Sequence, residues 1–183
     1  MESEKNSSIN RNTKIAERKE SMRIRYLSMA GVMAALITLA TAYICHIPVG
    51  LNGGYIHFGD SLIYLAAALL PKPYAMLAAA VGGGLADLLT APMWVVATVI
   101  IKMLLVLPFT GKDKKVMCMR NVIALVIAGV ISVIGYTVAE YFLFGTWSVL
   151  LVSLLPGMIQ SVGSAVFFVM FGVALDKANI KNR

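Results

Sequence analysis

The sequence predicts an all-α membrane protein, a six-transmembrane-helix bundle with both termini cytoplasmic. Three observations predict it. Of 183 residues, 59% are hydrophobic and only 14% charged, where a soluble domain carries about 25% charged residues. Breakers cut the apolar part into six segments. The basic residues alternate from loop to loop, as the positive-inside rule requires.

Residues 1–22 read as a cytoplasmic tail, polar and mixed in charge. The tail is too acidic for a transit peptide, and no small-residue cleavage site follows a short apolar run. Residues 23–178 form the membrane domain, and 179–183 a short cytoplasmic C-terminal tail. The first helix is expected over 24–47, ended by Pro48 and the glycine-rich stretch 50–54. The second runs from Gly59 to Leu70 and stops at Pro71-Lys72-Pro73. The third spans 74–89, the fourth 92–109, the fifth 121–144 and the sixth 147–174. The second and third are short against the ~20 residues of an ordinary span. Neither has the charged face of a surface helix, so both count as spans.

Orientation follows from Lys and Arg. Seven of the sixteen basic residues precede Tyr26, four lie between Lys112 and Arg120, and three follow Asp176. Lys72 falls on the same side. The loops 46–58, 90–93 and 145–147 contain none. The net charge of +7 therefore sits on flanks of membrane segments, a distribution that argues against nucleic acid. Cys45 and Cys118 fall near opposite faces, about a bilayer apart (~30 Å), too far for a disulfide. No metal spacing, Walker motif, HExxH or GxSxG is present. The chain is read as a non-enzyme with no cofactor and no visible means of hydrolysing ATP.

The polar groups inside the spans carry the functional reading. Asn52, Tyr55 and His57 lie in the first outer loop. Asp60 opens the second helix, and Asp87 lies near the outer end of the third. Trp94, Thr98 and Lys102 share a face of the fourth helix at i, i+4, i+8. Tyr136 and Glu140 share a face of the fifth with Ser132, and Gln160 and Ser164 a face of the sixth. Lys102 is about 12 Å below Trp94 at 1.5 Å per residue. A lysine at a helix centre costs about 2.5–3.5 kcal/mol on insertion scales, so it needs a partner or a wet cavity. Asp87 and Glu140 are the anions at nearby depth, with Asp60 farther out. Lys102 is then either tied to a carboxylate as a packing device or part of a solute site, and the two are compatible. Trp94 serves equally well as an interface anchor or a stacking surface. Gly82-Gly83-Gly84 lacks a following Lys-Ser or Lys-Thr, and reads as a point of close helix approach. Ala30 and Ala34 on the first helix make a small-xxx-small step, echoed by Gly31 and Ala35, facing either a neighbouring helix or a partner protein. A standalone proton-coupled carrier or small intramembrane enzyme is the alternative class.

Residues 56–105 carry a further signal: Gly59-Asp60 at the start of helix two, Leu85 to Leu89 as Leu-Ala-Asp-Leu-Leu, and Ala97-Thr98 through Ile101-Lys102. This stretch resembles the substrate-binding S components of energy-coupling factor (ECF) transporters. The resemblance implies a six-helix subunit that captures a vitamin or related heterocycle from outside. It implies docking with a transmembrane T component and two ATPase subunits, with Ala30 and Ala34 at the T-component contact. It also implies that the loop 52–58 lids the site and that the subunit topples in the membrane. The polar inventory suits a small planar heterocycle, a queuosine precursor of the deazapurine type or a pyridoxine- or hydroxymethylpyrimidine-like ring. Asn52, Tyr55, His57, Asp60, Asp87, Trp94, Thr98, Lys102, Tyr136, Glu140, Gln160 and Ser164 are the candidate substrate-binding residues.

Overall fold

A computed structural model describes residues 2–44, 47–49, 54–145, 148–179 and 181. The order is α1 (Glu2–Ala42), β1 (Ile47–Val49), β2 (Gly54–Ile56), α2 (Asp60–Leu69), α3 (Lys72–Thr90), a 3-10 turn (Pro92–Trp94), α4 (Val95–Val106), α5 (Met119–Phe144) and α6 (Ser148–Lys177). Among the described residues, the one departure from an all-α chain is the antiparallel β1–β2 pair, with Pro48 opposite Tyr55. Helix one ends at Ala42 rather than 47, because the chain turns there to enter this hairpin. It also continues back to Glu2, so the sequence expected as a tail is helical.

Among the described residues, four helices are long and apolar enough to cross a membrane: Asn10–Ala42, Lys72–Thr90, Met119–Phe144 and Leu154–Lys177. Asp60–Leu69 and Pro92–Val106 are shorter. The reason for brevity differs. Helix α4 is shortened by its 3-10 entry. Helix α2 is only ten residues, about 15 Å, and eight of the ten are buried. It packs against α1, α3, α4 and α6, and so is the centre of the bundle rather than one of its staves. Around it α1 packs on α3, α3 on α4, α4 on α5 and α5 on α6.

The remaining surface is apolar. Val32, Leu36 and Leu39 on α1, Val126, Val130 and Ile134 on α5, and Val162 and Val166 on α6 are exposed. Exposed aliphatic faces on three long helices are what lipid solvates. With no hydrophobic force between helices in lipid, close packing holds the bundle. The glycine triplet supplies it, each residue to a stated neighbour. A Cβ on Gly82 would stand 2.8 Å from Ala34 O, one on Gly83 2.9 Å from Lys102 Cγ, and one on Gly84 2.8 Å from Val99 Cγ2. The Thr38 hydroxyl lies 3.0 Å from Gly82 O and 2.9 Å from Ala34 O, fixing the α1–α3 register.

At the Lys/Arg-rich end, the loop between α4 and α5 is clamped. Asn121 accepts from Thr110 N–H at 2.8 Å and donates to Thr110 O at 3.1 Å and Val116 O at 2.9 Å. Asp176 near the end of α6 accepts from Val116 N–H and Met117 N–H at 2.7 and 2.9 Å. Lys72 donates to Leu107 O at 2.8 Å. Loop amides that would otherwise be unsatisfied thus find side-chain partners. Cys118 at the head of α5 is a free thiol, and burial pushes its pKa above the ordinary value. Cys45 lies outside the described residues.

Candidate functional site

The site is built on the first residue of the central helix. Because α2 is surrounded by protein, Asp60 enters the bundle fully buried. Its N-terminal approach is tightly set. Gly59 has no room for a Cβ, which would collide with Thr41 Oγ1 on α1. Ser61 Oγ donates to Phe58 O at 2.7 Å. The preceding Phe58 ring lies 4.9 Å from Phe167 on α6 and fills the space that a side chain at Gly163 would need. Gly59 just before α2 and Gly163 on α6 therefore let the exit of the hairpin seat against the bundle.

Asp60 is met from two sides. Lys102 Nζ donates to Oδ1 at 2.5 Å, and both side chains are 1% exposed. Gln160 Nε2 donates to Oδ2 at 3.2 Å. Gln160 Oε1 in turn accepts from His57 N–H at 3.4 Å. His57 Nδ1 accepts from Gly59 N–H at 3.0 Å, which assigns the proton of the neutral ring to Nε2. A chain of contacts thus joins α4, α2, α6 and the hairpin exit. Lys102 also stands 5.1 Å over the Tyr136 ring, a cation–π position. The Tyr136 and Thr98 hydroxyls are 3.0 Å apart.

Below this layer the site is floored by rings. Tyr64 stacks on Phe109 at 5.0 Å, and Phe168 meets both edge-on at 6.1 and 5.7 Å. The Tyr64 hydroxyl and the Ser164 hydroxyl point into buried space without a hydrogen-bond partner. Above it, Trp94 lies 6.1 Å from Tyr136 and 6.2 Å from Phe144. Glu140 stands between those two on the same α5 face, and is buried. Asp87 is one turn above Gly83 on the α3 face that meets α4, and is also buried.

Lys102 takes Asp60 as its partner, not Asp87 or Glu140, the anions expected at its depth. The physical reason is reach. The lysine stem packs in the notch left by Gly83, and α2 begins inside the bundle, with Asp60 buried, rather than at its rim. The structure brings His57, Asp60, Lys102, Gln160, Thr98 and Tyr136 into contact. It places Trp94, Glu140 and Asp87 in a storey above and Ser164 in a storey below. Tyr55 falls in β2, and Asn52 lies outside the described residues. Ala30 and Ala34 are buried against α3, so the inward of the two small-residue rows is already occupied. Gly31 and Ala35 are exposed, with nothing within 4 Å of a Cβ at Gly31. Asp60 and Tyr64 share a face of the second helix at i, i+4, a pairing legible in the sequence, whereas sequence reasoning missed Phe58 as anchor. The Gly163–Phe58 pairing leaves only a glycine as its signal.

No group of three His, Cys, Asp or Glu among the described residues is placed to hold a metal. The arrangement orients and neutralises charge, which suits binding.

The chain was compared with known proteins. A family model described as "ECF-type riboflavin transporter, S component" matches residues 21–177. A protein of Pyrococcus woesei, described as an uncharacterized protein in gap 3'region, is 31% identical over 107 residues. That alignment covers 57% of this chain and 72% of the relative.

Proposed function

The chain belongs to the S components of ECF-type transporters, multi-pass membrane subunits that bind substrate and are not enzymes, and we propose that it captures a small planar heterocycle at its Lys/Arg-free end. The observation that carries this is the buried Asp60–Lys102–Gln160–His57 chain. Ionisable groups at membrane depth are costly and mark pathways or sites. This chain ends on His57 and Gly59, at the exit of the hairpin from the Lys/Arg-free end. The exposed lipid-facing helices and the absence of any ATP-binding motif support dependence on a T component and two ATPase subunits. The termini lie in the cytoplasm in this reading. The T-component contact uses the exposed Gly31–Ala35 row of α1, adjacent to the Ala30–Ala34 row that α3 covers.

The substrate is a deazapurine of the queuosine-precursor type or a pyridoxine- or hydroxymethylpyrimidine-like ring. Riboflavin is the ring that the name of the matched family favours. The test is calorimetry and thermal shift on the purified full chain against these four classes, with uptake measured in cells carrying the T and ATPase subunits. One ring is expected to bind in the submicromolar range, and Lys102→Ala to abolish its uptake. Absence of any tight ligand, together with unchanged uptake in Lys102→Ala, overturns the proposal. Uptake without any ATPase partner favours a standalone carrier.

A further inference from the structure

Gln160 is bonded at both ends of its side-chain amide, and both bonds are long. Its Nε2 donates to Asp60 Oδ2 at 3.2 Å, and its Oε1 accepts from His57 N–H at 3.4 Å. An N–H bond to a neutral oxygen centres near about 2.9–3.0 Å, and one to a carboxylate is no longer than that. The two partners are themselves held in place. Lys102 anchors Asp60 through its other oxygen, and the His57 turn is closed by Gly59 N–H donating to Nδ1. A buried acceptor and a buried donor are thus set at a fixed separation, with an amide stretched between them. One turn deeper, two hydroxyls are unmet. Tyr64 follows Asp60 by four residues on α2, and Ser164 follows Gln160 by four on α6, so the pairs lie in successive layers. Both side chains are buried, and neither hydroxyl has a hydrogen-bond partner. An unmet buried hydroxyl carries a cost, and Ser164 is within i, i+4 reach of the Gln160 amide. Gln160 therefore has two seats, the one it occupies and another a turn deeper.

We propose that Gln160 holds the place of the substrate, and that the substrate is a ring carrying a lactam, an N–H beside a carbonyl on one edge. This rests on the reading of the chain as a heterocycle-binding S component. The ring N–H donates to Asp60 Oδ2, and the ring carbonyl accepts from His57 N–H. The Gln160 amide swings down to the hydroxyl layer of Ser164 and Tyr64, where its donors and its acceptor meet groups that can do both. The exchange leaves no buried polar group worse off, and gives the deeper hydroxyls partners. A lactam is the cyclic form of the group it displaces, with donor and acceptor on adjacent atoms and on the same side. Deazaguanine-type and flavin rings carry one. Pyridoxine presents hydroxyls around a ring nitrogen, and the hydroxymethylpyrimidine ring an amino group beside a ring nitrogen, so neither does. Gln160 acts here as a positioning residue that sets selectivity, with Asp60 and the His57 backbone touching the ring.

The experiment is titration calorimetry on the purified full chain with six probes: 7-deazaguanine, riboflavin, the lactam N-methyl derivative of each, pyridoxine and 4-amino-5-hydroxymethyl-2-methylpyrimidine. A lactam ring is expected to bind tightest, and methylation of its N–H to weaken it at least about 30-fold, since a charge-assisted hydrogen bond is lost. Gln160→Leu removes the competing amide and is expected to tighten that ring about 3-fold or more. Ser164→Ala removes the second seat. It is expected to weaken the ring about 3- to 10-fold in the parent, and by less than about 1.5-fold in the Gln160→Leu background, where no amide needs the seat. Melting curves without a probe show that each variant folds, and Ser164→Ala, which loses no bond there, is expected to melt with the parent. Tighter binding of a ring without a lactam, a methylated ring that binds as well as its parent, weakening of the lactam in Gln160→Leu, or an equal effect of Ser164→Ala in both backgrounds overturns the exchange and leaves the transport role standing. Failure of all six probes to bind overturns both.

Discussion

Two buried polar clusters sit at opposite ends of this bundle, and they are satisfied in different ways. At the Lys/Arg-rich end, Asn121 and Asp176 spend their hydrogen-bonding capacity on the backbone of one loop. At the other end, Asp60, Lys102 and Gln160 meet one another, and unsatisfied hydroxyl and indole groups remain around them at Tyr64, Ser164 and Trp94. The bonds of Asn121 and Asp176 are all spent on the loop, although Lys181 Nζ at that end is unmet, whereas the second cluster keeps unmet hydroxyl and indole groups of its own. Burial and polarity are common to both, so neither marks a site by itself. Leftover valence does, because an unmet buried donor costs about 1–3 kcal/mol and is retained where something else meets it.

The comparison breaks most readily at Lys102. Lys102→Met strands the buried Asp60 carboxylate, and a drop in stability of about 3–5 kcal/mol is expected, read as a lowered melting temperature in detergent. Pairing it with Asp60→Leu restores most of that stability while uptake stays lost. A double variant that transports normally would reduce the cluster to packing. Next in size is Asn121→Ala, which frees three loop groups and costs about 2–3 kcal/mol. Substrate affinity in that variant should stay within about 2-fold of the parent by calorimetry, because the clamp is remote from the site. Gly83→Ala presses a methyl group on the Lys102 stem and is expected to cost about 1–3 kcal/mol, with ligand affinity falling as well. That combined effect sharpens the contrast, since a remote packing defect lowers melting temperature alone. The smallest effect is at Thr98→Ala, where loss of the Tyr136 hydroxyl contact removes about 1 kcal/mol and shifts the dissociation constant by less than about 10-fold.

Much of this was legible in the chain because membrane helices announce themselves by composition and breakers. The polar set was legible for a related reason: charge is rare in such segments, so Asp60, Asp87, Lys102 and Glu140 stand out. The partner of Lys102 was not. Depth reckoned along each helix assigned it to Asp87 or Glu140, and that reckoning takes every helix to start at the rim. Helix α2 starts inside, buried by four neighbours, and nothing in a ten-residue apolar run distinguishes a central helix from a short span. The small residues of α1 show the same limit. Two adjacent rows, Ala30–Ala34 and Gly31–Ala35, have the same spacing, and only the packing of Gly82 against Ala34 tells which one faces inward. The loop clamp was silent because Asp176 reaches backbone groups sixty positions earlier in sequence, and such contacts leave no pattern in side-chain type.

Helix α1 runs unbroken for 41 residues, about 60 Å, twice the thickness of a hydrocarbon core. Its membrane half is locked to α3 by Thr38 and Gly82, so the protruding half has no joint of its own. It behaves as a pointer fixed to a dial. Each 10° by which the subunit leans carries a point 30 Å along that rod sideways by about 5 Å, so a reorientation too small to see in the site is magnified at the amino-terminal tip.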